Sequence, residues 1–185
     1  DVIVVDHHLA GPELPRAHSV INPNRLDEDG AYGHLCAAGV VFILLVALIR
    51  ELRRRGAFEG GRQAPDLMRQ LDLVGLATVC DVVPLRGINR AFVGQGLKML
   101  ARRGNIGLAC LADVSGLNTP PSGHTFGFML GPRINAGGRI GSSDLGVRLL
   151  STQSGDEALG LAAALDELNI RRREIEQEIR AHAMD

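Results

Sequence analysis

Residues 2–8 read Val-Ile-Val-Val-Asp-His-His, a β-branched apolar run that stops abruptly in three adjacent metal- and proton-competent side chains. Such a run suits a buried strand of a parallel sheet. In open α/β sheets, ligands gather just beyond the carboxyl ends of the strands. Asp6, His7 and His8 would sit at such an end. Successive residues of an extended chain point to opposite sides. One imidazole can therefore bind a metal while the other faces a substrate. The tripeptide alone also suits a polar turn with a surface histidine, so the rest of the chain has to decide.

A buried parallel strand needs neighbours on both sides. This one starts at the second residue and has no earlier strand to pair with. The expected fold class is therefore α/β, as a helix-rich piece of a larger parallel-sheet domain. At 185 residues and 45% hydrophobic content, the chain can bury a core of its own. A formal charge of −1 excludes a general basic field, so any nucleic-acid binding must come from a local cluster. Cys36, Cys80 and Cys110 are widely spaced and odd in number, with neither metal-ligand spacing nor a disulfide framework. They suit a reducing, cytoplasmic setting. No signal peptide is visible. The longest apolar run, Leu35 to Ile49, is too short for a bilayer span and reads as a buried helix.

Along the chain, a Pro/Gly-rich loop leads to a short extended segment, Ser19-Val20-Ile21-Asn22-Pro23. Residues 34–55 read as a helix whose arginines, Arg50 and Arg53 to Arg55, suit the negative end of the helix dipole, with Gly56 as the stop. Pro65 opens a helix through about Ala77. Further helices are expected over about 89–102, 106–114 and 143–151. Ser154 and Glu157 have capping-box spacing. Leu161, Leu165, Leu168, Ile175 and Ile179 then recur at helical spacing. The expected organisation is residues 1–153 as part of a catalytic domain and residues 154–185 as a long interdomain connector helix.

Two further segments carry chemistry. Asp81 is the only charge in the apolar stretch Leu73–Leu85. A carboxylate there is costly unless paired, hydrogen-bonded or on a metal. A cap or turn aspartate is the plain reading. Together with His7, it would make an oxygen/nitrogen pair for a divalent ion such as Mn²⁺. Residues 131–139, Gly-Pro-Arg-Ile-Asn-Ala-Gly-Gly-Arg, place Arg133 and Arg139 around Asn135 in what reads as a small-residue turn. Guanidinium forks suit phosphate, and small residues let a ligand approach closely. A surface turn with solvated arginines is the plain reading.

In this order the pieces resemble one family. Val4-Val5-Asp6-His7-His8 is similar to the signature of the Asp-His-His (DHH) phosphoesterases, and Ala77–Leu85 resembles their later aspartate motif. Gly131–Arg139, with Asn22–Arg25 and Leu35–Val40, resembles the branch that degrades single-stranded DNA. The resemblance runs over nearly the whole chain. It implies a metal-dependent 5′→3′ exonuclease of DNA repair and recombination, with single-stranded DNA as partner and two Mn²⁺ or Mg²⁺ ions as cofactor. Carried over, His7 and Asp81 would be metal ligands. His8 would contact the scissile phosphate or support the metal shell, and Asp6 would orient a histidine. Arg133, Asn135 and Arg139 would meet the DNA backbone.

The chain also departs from the family. An Asp-x-Asp-Gly motif and a further aspartate strand precede Asp-His-His in the family, and neither precedes Asp6 here. Asp27-Glu28-Asp29-Gly30 mimics the first of these but reads as a turn. The smaller substrate-binding domain expected after the long helix is also missing. The resemblance therefore implies the central part of a catalytic core, inactive alone. Two alternatives stay open: a DHH phosphatase on small nucleotides, and a non-catalytic DHH-derived nucleic-acid-binding module.

Overall fold

The structure is a computed structural model and describes residues 1–184. The chain divides into two compact units, Asp1–Gly96 and Leu97–Asp185, each with its own core.

In the first unit, β1 (Ile3–Val5) pairs in parallel with β2 (Ser19–Ile21), in the register Ile3↔Ser19, Val4↔Val20 and Val5↔Ile21. The ladder continues for one bond, Asp6 N–H to Ile21 C=O at 3.0 Å. The strand forms where the β-branched run predicts, but it is not buried. With one partner strand among the described residues, Val2 and Ile3 stay 60% and 59% exposed.

Helix α1 (Ala37–Arg54) starts three residues later than the periodicity predicts, because Cys36 is extended at its N-cap. It buries Val40, Phe42 and Ile49 but exposes Val41, Leu45, Val46 and Leu48. The expectation of a fully buried helix fails on that outer face. Its end is built as read. Gly56, at φ +72°, lets Ala57 N–H reach Leu52 C=O and Gly56 N–H reach Arg53 C=O. Arg54 and Arg55 both donate to Glu51, and those bonds pull its carboxyl down to about 2.

The segment opened by Pro65 is more broken than predicted. Asp66 caps a 3-10 turn, Leu67–Gln70, by accepting from Met68 N–H. Helix α2 (Leu71–Cys80) follows. Helix α3 (Gly87–Ala101) lies so close to α2 that a Cβ at Gly96 would stand 2.4 Å from the Leu71 carbonyl. Phe42 and Phe92 meet edge to face at 5.3 Å between centroids.

The second unit is helical. Asn105 caps α4 (Ile106–Val114) at Leu108 N–H and also donates to the Leu150 carbonyl. A π-helical turn, Thr125–Leu130, runs directly into α5 (Gly131–Ile140), followed by α6 (Asp144–Ser151) and α7 (Gly155–Met184). The small-residue segment 131–139 is therefore a helix, not the turn read from its composition. Gly137 serves contact between helices: a Cβ there would stand 2.9 Å from Leu165 Cδ2 of α7. Tertiary packing overrides the poor helix propensity of glycine.

Ala158, Leu161, Ala162 and Leu165 form the buried stripe of α7, whereas Ile175 and Ile179 further along are exposed. The expected capping box is half formed. Ser154 Oγ accepts from Glu157 N–H, but the Glu157 carboxylate bonds Thr152 and Arg148. No described helix is long and apolar enough to cross a membrane.

Candidate functional site

The parallel register places residues 22–24 beside residues 6–8, and two asparagine side chains use that proximity. Asn22 Nδ2 donates to the His8 carbonyl at 2.8 Å, and Asn24 Nδ2 donates to the His7 carbonyl at 2.6 Å. Asn22 Oδ1 accepts from Asn24 N–H, which locks the two together. Asn24 also donates to the Gly33 carbonyl at 3.0 Å. A Cβ on Gly33 would stand 2.4 Å from Asn24 Oδ1, so the clamp needs glycine there. Arg25 fastens the same loop by donating to the Val20 carbonyl and pairing with Asp27. The Asp27–Gly30 segment is a turn, as expected, with Asp29 accepting from Ala31 N–H.

On this clamped backbone the two histidines do not point to opposite sides as an extended chain would place them: their rings lie against each other, centroids 4.4 Å apart and planes tilted by 46°. His8 is exposed, and its Nδ1 lies 2.7 Å from Asp6 Oδ1. The Asp6 carboxyl is held below the ordinary carboxylate range, first by His8 and then by the N–H groups of His7 and His8. Asp6 therefore orients His8 and leaves its Nε2 free to meet a ligand. The neighbouring His7 side chain is only 16% exposed and has a different partner, with Nε2 3.3 Å from Asp81 Oδ2.

Asp81 arrives at that position as the C-cap of α2, where its N–H bonds the Ala77 carbonyl. Its side chain is 38% exposed, in keeping with a cap aspartate, and the buried charge of α2 lies at the other end of the helix. That charge is Asp72, at 2% exposure, whose carboxyl burial pushes up. Val82 follows Asp81 at φ +56°, a left-handed conformation that β-branched residues rarely adopt. Beyond it, the buried Asn89 donates to both the His34 and Pro84 carbonyls, tying the Asp81 loop to the segment before α1.

The donor set of one imidazole nitrogen and one carboxylate oxygen suits a hard or borderline divalent ion. Two donors each about 2.1 Å from one ion can stand at the observed separation. No group of three or more candidate ligands occurs among the described residues. Among the described residues His7 and Asp81 are therefore a two-donor pair that could hold an ion only together with further ligands.

In the second unit, the three predicted substrate contacts separate. On a helix, Asn135 and Arg139 lie roughly 40° apart, whereas Arg133 stands roughly 160° from Asn135. Arg133 is accordingly turned inward. Its Nε bonds Asp166 Oδ1 of α7 at 2.7 Å, its Nη1 bonds the Met129 carbonyl at 2.6 Å, and its side chain is 13% exposed. Asn135 and Arg139 are exposed, with no side-chain partner among the described residues.

Asn22, Asn24 and Asn89 were not assigned roles from the sequence. The signal for the first pair is Asn-Pro-Asn directly after a strand that pairs with the Asp-His-His strand.

No family model matches the chain. It is 44% identical over 188 residues to the single-stranded-DNA-specific exonuclease RecJ of Salmonella typhimurium, covering 99% of this chain and 32% of that protein. The Bacillus subtilis protein of the same name is 36% identical over 186 residues, with all of this chain and 22% of the relative covered. The crystal structure of Thermus thermophilus RecJ in complex with Mn²⁺ superposes with a TM-score of 0.81 at 36% identity, over 97% of this chain and 25% of that one. The chain thus spans about a third or less of the curated relatives it matches. Over nearly its whole length the chain is homologous to one segment of the RecJ exonucleases, and its Asp-His-His strand, Asp81 and helix α5 all lie within that segment.

Proposed function

We propose that the chain is part of a metal-dependent exonuclease that hydrolyses single-stranded DNA from its 5′ end. The observation that carries this reading is the approach of His7 Nε2 to Asp81 Oδ2, from segments 74 residues apart in sequence. His7 and Asp81 would hold one divalent ion, Mn²⁺ or Mg²⁺. When bound, such an ion generates hydroxide at neutral pH and offsets charge on the phosphoryl oxygens.

The chain's own groups do the rest. The Asn22–Asn24 clamp fixes the backbone carrying both histidines, so neither imidazole has to be ordered when substrate arrives. His8, held by Asp6, presents Nε2 to a phosphate oxygen, as a donor when protonated. Asn135 and Arg139 supply an amide and a guanidinium for the DNA backbone. Arg133 acts one step back: its bond to Asp166 holds α5 against α7 and so fixes the helix that bears the other two.

Two-metal phosphoryl chemistry needs more ligands than His7 and Asp81. The 185-residue chain alone is therefore expected to show little or no Mn²⁺-dependent cleavage. The test is digestion of a 5′-labelled single strand by the Salmonella relative with its matching third replaced by this chain. The chimaera should cleave, and His7→Ala or Asp81→Ala in it should each cost on the order of 100-fold or more. Full activity in both variants would remove the metal assignment. Hydrolysis of small nucleotides but not of DNA would favour the phosphatase reading. Binding without any turnover would favour the binding module.

A further inference from the structure

We propose that His124 and Phe128 form a stacking platform for an unpaired nucleobase, on the same helical run that carries Asn135 and Arg139. The proposal rests on the single-stranded-DNA reading above and adds a base-contacting element to it.

Residues 123–140 are one continuous helical run, including the π-helical turn. Thr125, Phe126, Leu130, Gly131, Ala136 and Gly137 are buried along it. His124, Phe128, Asn135 and Arg139 are exposed. Four-residue steps bring His124 beside Phe128 and Asn135 beside Arg139, and both pairs lie away from the buried residues of the run. Phe126 and Phe128, two residues apart, point oppositely: the first is 0% exposed and the second 67%.

That exposure sets Phe128 apart. Phe42, Phe92 and Phe126 are buried and Phe58 is half-buried. Leaving a phenylalanine in water forgoes about 1.5–3 kcal/mol of burial. Its ring is not loose. It stacks on the His124 imidazole with centroids 5.0 Å apart and planes 16° from parallel. The His124 side chain makes no hydrogen bond or ion pair among the described residues. The result is a flat, pre-arranged face open on its outer side.

The surroundings select the partner. Residues 123–140 contain no Asp or Glu, and with Arg133 turned inward onto Asp166 the exposed cation of the run is Arg139. A Cβ at Gly138 would meet nothing within 4 Å, so space beside Arg139 is open. Phe128 and Arg139 are eleven residues apart, about 16 Å along a helix. A ring face at one end and a guanidinium at the other match an anionic polymer with flat, unpaired bases. Single-strand binders combine these two elements.

The chain has no tryptophan, so Phe128→Trp installs a single fluorophore on the platform. The probes are a ten-nucleotide oligo(dT) and an abasic ten-mer with the same phosphates. Oligo(dT) should quench the Phe128→Trp emission, and the abasic strand should not. By anisotropy, Phe128→Ala should weaken oligo(dT) binding about 5- to 100-fold and leave abasic binding unchanged. Phe128→Tyr should restore oligo(dT) affinity. Arg139→Ala should weaken both strands alike and lower the salt slope by about one.

Equal losses on both strands for Phe128→Ala would overturn the platform, as would wild-type affinity that does not distinguish the two. Absence of any binding by the wild-type chain would also overturn it. The exonuclease reading stands or falls separately, on the chimaera digestion.

Discussion

In the first unit, the candidate residues Asp6, His7, His8 and Asp81 stand at the ends of a strand and a helix, on backbone fixed by the side-chain amides of Asn22, Asn24 and Asn89. In the second, Asn135 and Arg139 stand mid-helix, on a scaffold fixed by glycine-mediated contact and the Arg133–Asp166 pair. Both arrangements pre-organise a surface, with opposite sensitivities. An amide clamp can lose a bond and leave the fold standing. A close-packed helix cannot admit a methyl group without moving its neighbour.

Two glycines give the largest contrast. A Cβ at Gly107 would stand 1.9 Å from the Leu149 carbonyl, a backbone atom that cannot step aside. Gly107→Ala should cost about 3 kcal/mol or more, read as a lower urea midpoint. Gly33→Ala meets the Asn24 amide at 2.4 Å and the Gly30 carbonyl only at 3.3 Å, and should cost about 1–2 kcal/mol as the Asn24 bonds loosen. Equal losses at the two positions would erase the distinction between the units.

Arg133→Ala should come next, at about 2 kcal/mol, because it strands the half-buried Asp166. A double-mutant cycle with Asp166→Ala should show coupling of about 1 kcal/mol or more. If Arg133→Ala instead leaves stability unchanged but weakens oligonucleotide binding, its side chain serves DNA rather than the helix.

The smallest effect concerns the buried carboxylate of the first unit. Asp72 has its pKa raised by burial. Its contribution therefore favours the folded state in acid and is lost as pH rises from the ordinary aspartate value through the raised one. Asp72→Asn keeps an oxygen for Leu73 N–H and removes the charge. It should raise the melting temperature by about 2–4 °C at pH 7 and hardly change it at pH 3. A gain of the same size at both pH values would place its origin outside ionisation.

How far the sequence was legible follows the same division. The Asp-His-His strand, the α1 stop at Gly56 and the first half of the α7 stripe each rest on a local rule and each formed, whereas Ile175 and Ile179 at the far end of the stripe are exposed. The approach of His7 to Asp81 came from motif resemblance, since no local pattern links residues 74 apart. Helix α5 reads as a turn because glycines signal turns locally, and the service of Gly137 to Leu165 is visible only once α7 is in place. The plain reading of Asp81 as a cap or turn aspartate holds in outline, since it caps the C-terminal end of α2. Arg133 was grouped with Arg139 from a linear motif, yet helical geometry sends the two to different faces.

The most direct measurement is Mn²⁺ titration of the 185-residue chain, followed by the loss of the free-ion EPR signal. The account predicts one bound ion per chain. It also predicts at least tenfold weaker binding for His7→Ala and for Asp81→Ala, with wild-type thermal stability in metal-free buffer. Asn24→Ala should fall between wild type and those two, since it loosens the His7 backbone without removing a ligand. Equal Mn²⁺ affinity in wild type, His7→Ala and Asp81→Ala would contradict the account, reducing the 3.3 Å approach to an ordinary histidine–aspartate contact.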